Sequence, residues 1–151
     1  MIEPYKTIFA EITPLLDRLR LSKGDDSSFG ATYSRSDGYF LSVHIERTGD
    51  AFSAVLQKDG ADIRGQLSPD VLMEALEHSK GLEAVEALRN GFDENAIMSW
   101  WRVFLAFLID HESVVFRFPS TAADPSWRAY VEVYNRKVRE LGLRSCSEID
   151  F

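Results

Sequence analysis

The segment from Ile97 to Ile109 reads IMSWWRVFLAFLI, and eleven of its thirteen residues are apolar. A helix of that length spans roughly 20 Å, short of the ~30 Å hydrocarbon core of a bilayer. The spacing therefore predicts the central helix of a soluble core, not a membrane span. Its few polar positions and their neighbours, Asn95, Ser99, Arg102, Ala106 and Asp110, recur every three or four residues. One thin stripe can reach water while the rest is buried. Trp100, Phe104, Leu105 and Leu108 are accordingly assigned to the interior, and Arg102 to the exposed stripe.

A chain of 151 residues is about one domain, so residues 1–151 are read as a single unit. With 45% hydrophobic residues it can bury a core without disulfide staples. Cys146 is the only cysteine, which leaves no internal disulfide and no multi-cysteine zinc site. The first residues, MIEPYKTIFAEITPLLDRL, scatter Glu3, Glu11 and Asp17 among apolar positions and lack the continuous apolar run of a secretory signal. The expected location is the cytoplasm.

Around the core, periodicity predicts an α+β fold. A first helix is expected from about Pro4 to Leu21, either kinked at Pro14 or broken there with Thr13 as a cap. Residues 24–28, GDDSS, read as a loop. Four strands follow at Phe29–Ser34, Tyr39–Arg47, Ala51–Lys58 and Ile63–Leu67, separated by short turns rich in Gly and Asp. Such short connections imply an antiparallel meander. Ser68-Pro69 should open a helix that Gly81 closes, with Leu82–Arg89 a further helix or a continuation. The apolar helix follows at about Asp93–Asp110. Ser113–Phe118 reads as a short strand, and Asp124-Pro125 opens a last helix that Gly142 ends. The helical second half is expected to pack on the sheet.

Charge is distributed unevenly. The chain holds 17 basic and 24 acidic residues, for −7 overall, but residues 24–112 hold 16 acids and 7 bases, for −9. An acidic middle repels phosphate backbones, which argues against nucleic acid as a partner, and no segment points to a membrane. The same field attracts a basic protein surface and speeds encounter with it. In a meander alternate turns share an end of the sheet. Asp37, Asp59 and Asp62 should gather at one end, and Asp25, Asp26 and Asp50 at the other, with Glu46 nearby on the open face. Turn geometry alone explains the Asp-Gly pair at 59–60 and Asp37 before Gly38, but not the adjacent Asp25 and Asp26.

Catalytic signatures are sparse. His44 sits beside Ser42 and Glu46 on the wetter strand face, where it reads as a surface histidine or as a general base. His78 follows Glu74 by one turn, as an exposed helix pair. Asp110-His111-Glu112 offers three ligand types in a row, yet adjacent residues at a helix end point in different directions, and no metal is expected. The run from Asp25 to Gly30 begins like a calcium loop but has Ser36 where the twelfth-position glutamate belongs. No phosphate loop, dinucleotide fingerprint, nucleophile elbow or zinc-protease motif occurs, and no cofactor is implied.

As a type, a small α+β chain with an acidic centre carrying Asp25, Asp26, Asp37, Glu46, Asp50, Asp59 and Asp62, and no catalytic motif, resembles the bacterial immunity proteins that neutralise toxins. Those proteins are diverse in fold, so the resemblance carries over no functional residue. It implies a non-catalytic protein that binds another protein, a basic toxin domain, through an acidic surface. Secretion chaperones are similar in size and charge, but their alternating strands and helices differ from the long helical second half here. The contrasting expectation is a small-ligand protein or enzyme that uses the sheet face around His44.

Overall fold

A computed structural model describes residues 5–45, 52–77, 79–90, 93–141 and 148–150. Helix α1 (Tyr5–Arg18) leads into a sheet of β1 (Ser22–Ser27), β2 (Gly30–Ser34), β3 (Tyr39–Ile45), β4 (Phe52–Lys58) and β5 (Gln66–Leu67). Then come α2 (Pro69–Ala75), α3 (Ser79–Asn90), α4 (Glu94–Asp110), the short α5 (Glu112–Val115) and α6 (Pro125–Leu141). The strands lie in chain order and every neighbouring pair is antiparallel. The fold is therefore the expected α+β meander followed by helices, and the meander has one strand more than the four the sequence pattern predicts.

The sheet's two faces follow from its register. Tyr33, Leu41, Leu56 and Leu67 align across four strands, as do Ala31, Val43 and Ala54 across three. All but the half-buried Ala54 are buried, and this side faces the helices. Thr32, Ser42 and Val55 align on the other side, beside Phe40, His44 and Gln57. These are half-buried apart from the exposed His44. The alternation of Tyr39–Ile45 that marks a one-sided strand is thus realised in the packing.

Helix α4 fills the space above that face. Ile97, Trp100, Trp101, Phe104, Leu105, Phe107 and Leu108 are buried, whereas Asn95, Ser99, Arg102, Ala106 and Asp110 are exposed in the expected stripe. Asp93 caps the helix by accepting from the Ala96 N–H at 2.8 Å. Arg102 reaches from the stripe to Glu11 of α1 at 3.2 Å. Phe9 of α1 stacks on Tyr33 of β2, with centroids 5.6 Å apart, and meets Trp101 edge-on at 5.0 Å. It is the wedge through which α1 joins α4 to the sheet.

Several boundaries differ from the pattern, each for a local reason. Helix α1 runs unbroken through Pro14, whose ring has no N–H to give the Ala10 carbonyl; one residue earlier the Thr13 hydroxyl donates to the Phe9 carbonyl at 2.9 Å. Arg20, at φ +58°, closes α1, and the Leu21 N–H returns to the Leu16 carbonyl at 3.0 Å. The expected loop at 24–28 is largely strand β1, paired with β2 through a bulge between Lys23 and Asp26. The expected fourth strand at Ile63–Leu67 is a 3-10 turn, Ile63–Gly65, and only two strand residues.

Gly81 does not end a helix. Glu77, at φ +55°, terminates α2, while Gly81 lies inside α3, where any Cβ would fall 2.5 Å from the Met73 sulfur. The expected strand at Ser113–Phe118 is α5 and a turn: Val115 and Phe118 are buried, and Val114 and Phe116 half-buried. Gly142 lies outside the described residues.

Helix α6 completes the core with Trp127, Tyr130 and Val131. The Tyr130 hydroxyl accepts from the Ser68 N–H at 3.0 Å, and burial pushes that hydroxyl's pKa far above its usual value. Asn135 clips residues 148–150 onto α6 through two bonds to the Ile149 backbone, at 2.9 and 2.7 Å. No helix among the described residues is long and apolar enough to cross a membrane.

Two predictions follow from the packing and the cap of α6. Phe104 has no exposed surface, so Phe104→Ala should cost about 3–5 kcal/mol in a urea melt; a loss below about 1 kcal/mol would mean α4 is peripheral. Asp124 accepts from the Arg117 guanidinium at 2.8 and 2.9 Å and from the Ser126 N–H at 3.0 Å, with the Arg117 bond the main reason its carboxyl falls to about 2. A depressed carboxylate stabilises above its unfolded pKa near 4, and the gain is lost as pH falls through the folded value. Arg117 is half exposed, so screening limits the gain to about 1 kcal/mol. The wild type should exceed Asp124→Asn by that margin at pH 6 and lose the advantage between pH 4 and 2 in acid-unfolding curves. A gap independent of pH would contradict the ion pair.

Candidate functional site

The described acids singled out by the sequence occupy two ends of the sheet. The turns at Asp37 and Asp59 lie side by side: the Asp59 N–H donates to the Gly38 carbonyl at 2.8 Å, and Lys58 Nζ donates to the Asp37 carbonyl. Asp62 follows within the same connection. Asp26 pairs with Ala31 at the opposite end of β2, with Asp25 beside it. Glu46 and Asp50 lie outside the described residues.

Three of these acids carry a base from their own neighbourhood. Lys23 Nζ sits 2.7 Å from Asp26, and this bond chiefly lowers the Asp26 carboxyl. Arg64 contacts Asp62 through its side chain at 3.1 Å and its N–H at 3.0 Å, and lowers it likewise. Burial pushes the Asp37 carboxyl up, but the hydrogen bonds and charge of Arg35 outweigh that and hold it below its usual value. Asp25 and Asp59 make no ion pair among the described residues.

Arg35 is the most enclosed of these three bases. Only 8% of its side chain is exposed. It stands 3.7 Å above the Phe116 ring, donates to the Leu19 carbonyl at 2.8 Å, and reaches Asp37 at 3.1 Å and Glu112 at 3.4 Å. Its planar fork knits α1, the β2–β3 turn and α5 together. Sequence analysis missed Lys23, Arg35 and Arg64 as partners. The signal was their spacing, two or three residues from the acid each one neutralises.

Asp26 of β1 borders a cleft of about 660 Å³ between α1 and the strand, with Phe9, Leu16 and Tyr33 in its apolar part and Lys6, Asp17, Lys23 and Asp26 as charged groups on it. Burial, and then the charge of Asp26, push the Tyr33 hydroxyl up to about 12. With both signs of charge present, the cleft has no strong electrostatic preference.

The histidines divide. His44 is exposed on the open sheet face, between Gly30 and Ser53 in register. His111 packs its ring on Phe107 at 4.5 Å, with Nδ1 3.1 Å from the Phe107 carbonyl. Its neighbour Glu112 is engaged by Arg20 and Arg35. His78 lies outside the described residues. No group of three His, Cys, Asp or Glu suited to a metal occurs among the described residues.

No protein-family model matches the chain, and no curated protein or solved structure shows significant similarity to it.

Proposed function

We propose that this protein is a non-catalytic binding protein that acts in the cytoplasm, docking a basic partner protein against its acidic surface in the manner of a toxin-immunity protein. The observation that carries the reading is β1. All six of its residues are exposed, it adds no side chain to the core, and it presents Asp25 and Asp26 along the edge of the sheet. A strand that buries nothing gains little from folding except its pairing with β2. Its outer edge offers unsatisfied backbone groups, and the carboxylates there discourage indiscriminate strand pairing. They also favour a cationic partner.

Carboxylates on such a surface can occupy positions where a nucleic-acid phosphate would sit on a toxin nuclease. The −9 charge of residues 24–112 would speed the encounter. Exposed charges are screened within about 8–10 Å at physiological salt, so the contribution lies in association rate.

The test uses a partner captured from the source cells. Its association rate should fall roughly tenfold between low and physiological salt. The triple variant Asp25→Asn, Asp26→Asn, Asp50→Asn should associate several-fold more slowly at low salt if the β1 end is used. The triple Asp37→Asn, Asp59→Asn, Asp62→Asn should do so if the other end is used. A rate indifferent to salt and to both triples would overturn the reading.

A further inference from the structure

A second cleft forms where β4 loses its neighbour. Strand β5 is only two residues long because Ser68 leads into Pro69, whose ring supplies no N–H for a ladder and instead opens α2. Pairing stops at Leu56, so β4 continues towards Ser53 with no fifth strand alongside. Between Ser53–Ala54 and the first turn of α2 lies a cleft of about 290 Å³, closed by Leu88 of α3 and Trp100 of α4. Asp70 lines it.

Asp70 is half-buried, and its carboxylate is held by a hydrogen bond from the Trp100 side chain. It makes no ion pair among the described residues. The cations near enough to influence it are committed elsewhere: Lys137 of α6 is 2.9 Å from Glu74, and Arg89 of α3 is 3.8 Å from Glu86. Glu74 adds a repulsive charge of its own, and burial outweighs all the favourable partners and raises the Asp70 carboxyl above its usual value. The helix dipole at the start of α2 favours a carboxylate there, which accounts for the charge but not for the space in front of it. A carboxylate oriented by an indole, beside an apolar wall and without a cation of its own, matches the head and stem of a lysine or arginine side chain. The cleft is at the lower limit for a small-molecule pocket, about 300 Å³, which suits one side chain.

We propose that the Asp70–Trp100 cleft receives a single cationic side chain, lysine or arginine, of the basic partner protein, the ammonium or guanidinium meeting Asp70 and the alkyl stem lying against Leu88 and Trp100. The proposal rests on the binding reading above. It assigns that partner an anchor distinct from the loop acids, which set the encounter rate.

The test separates the two ideas. The full chain is titrated with n-butylammonium and n-butylguanidinium while the Trp100 indole resonance is followed by NMR, with n-butanol as the neutral isostere. At least one cation should shift that resonance saturably, with a Kd on the order of 10 mM. n-Butanol should not, and Asp70→Asn should weaken the binding at least fivefold. Should Asp70→Asn fail to fold, Leu88→Trp fills the cleft while keeping the carboxylate, and should abolish the shift. No saturation up to about 100 mM, equal shifts with n-butanol, or cation binding unchanged in the variant would each overturn the site.

In the partner complex, the folded cleft variant should raise the dissociation rate about tenfold with association unchanged, the opposite of the loop triples. Cation binding without that effect would mean a free-amine site and overturn the partner contact. The triples would still decide the acidic-surface reading independently.

Discussion

The contact on which the rest of the molecule depends is the aromatic junction of Phe9, Tyr33 and Trp101. Phe9 lies flat on the sheet through Tyr33 and edge-on to the central helix through Trp101. It joins α1 to both the strands and α4. From Trp101 the packing runs along α4 through Trp100, Phe104 and Phe107. On the far side Phe118, Trp127, Tyr130 and Tyr134 form a second run. That run is tied to β3 by the bond from the Tyr39 hydroxyl to the Phe118 carbonyl, and to the start of α2 by that from the Ser68 N–H to Tyr130. Aromatic side chains bury much area at few rotatable bonds, so a chain of this length can build one contiguous core from them.

The functional proposals arise where that core stops. β1 lies beyond it and buries nothing. β5 is cut short by Pro69, and the gap that results is walled by Trp100, a core residue whose indole also holds Asp70. The cleft at Asp70 is a consequence of strand pairing that ends early. The acids differ in character. Asp26, Asp37 and Asp62 are tied to local bases, so their charge enters the long-range field with a compensating partner close by, whereas Asp70 is enclosed and unpaired among the described residues.

Much of this was legible in the sequence. The stripe Asn95–Asp110 and the buried face of α4 follow from helical spacing, and the meander from alternation in Tyr39–Ile45 with short turns. β1 was not legible, because a strand exposed on both faces has no alternation and its Gly, Asp and Ser residues are those of a loop. The strand-like pattern of Val114, Phe116 and Phe118 failed because the tertiary core decides which of them are buried. Gly81 reads as a stop signal, yet its missing side chain serves the close approach of α3 to Met73. Of the candidate site, the loop acids were legible, whereas their pairing with Lys23, Arg35 and Arg64 depends on side-chain directions that turn and strand geometry set. Asp70 was hidden because its role depends on Trp100, thirty residues away.

Native-state hydrogen exchange tests most directly the claim that α4 carries the core while β1 is displayed beyond it. Amides of α4 from Phe104 to Leu108 should exchange only through global unfolding, while those of Ser22–Ser27 that pair with β2 should exchange through local opening at least about a hundredfold faster, leaving α4 protected. Protection of β1 equal to that of α4 would place the strand inside the cooperative core and contradict the account.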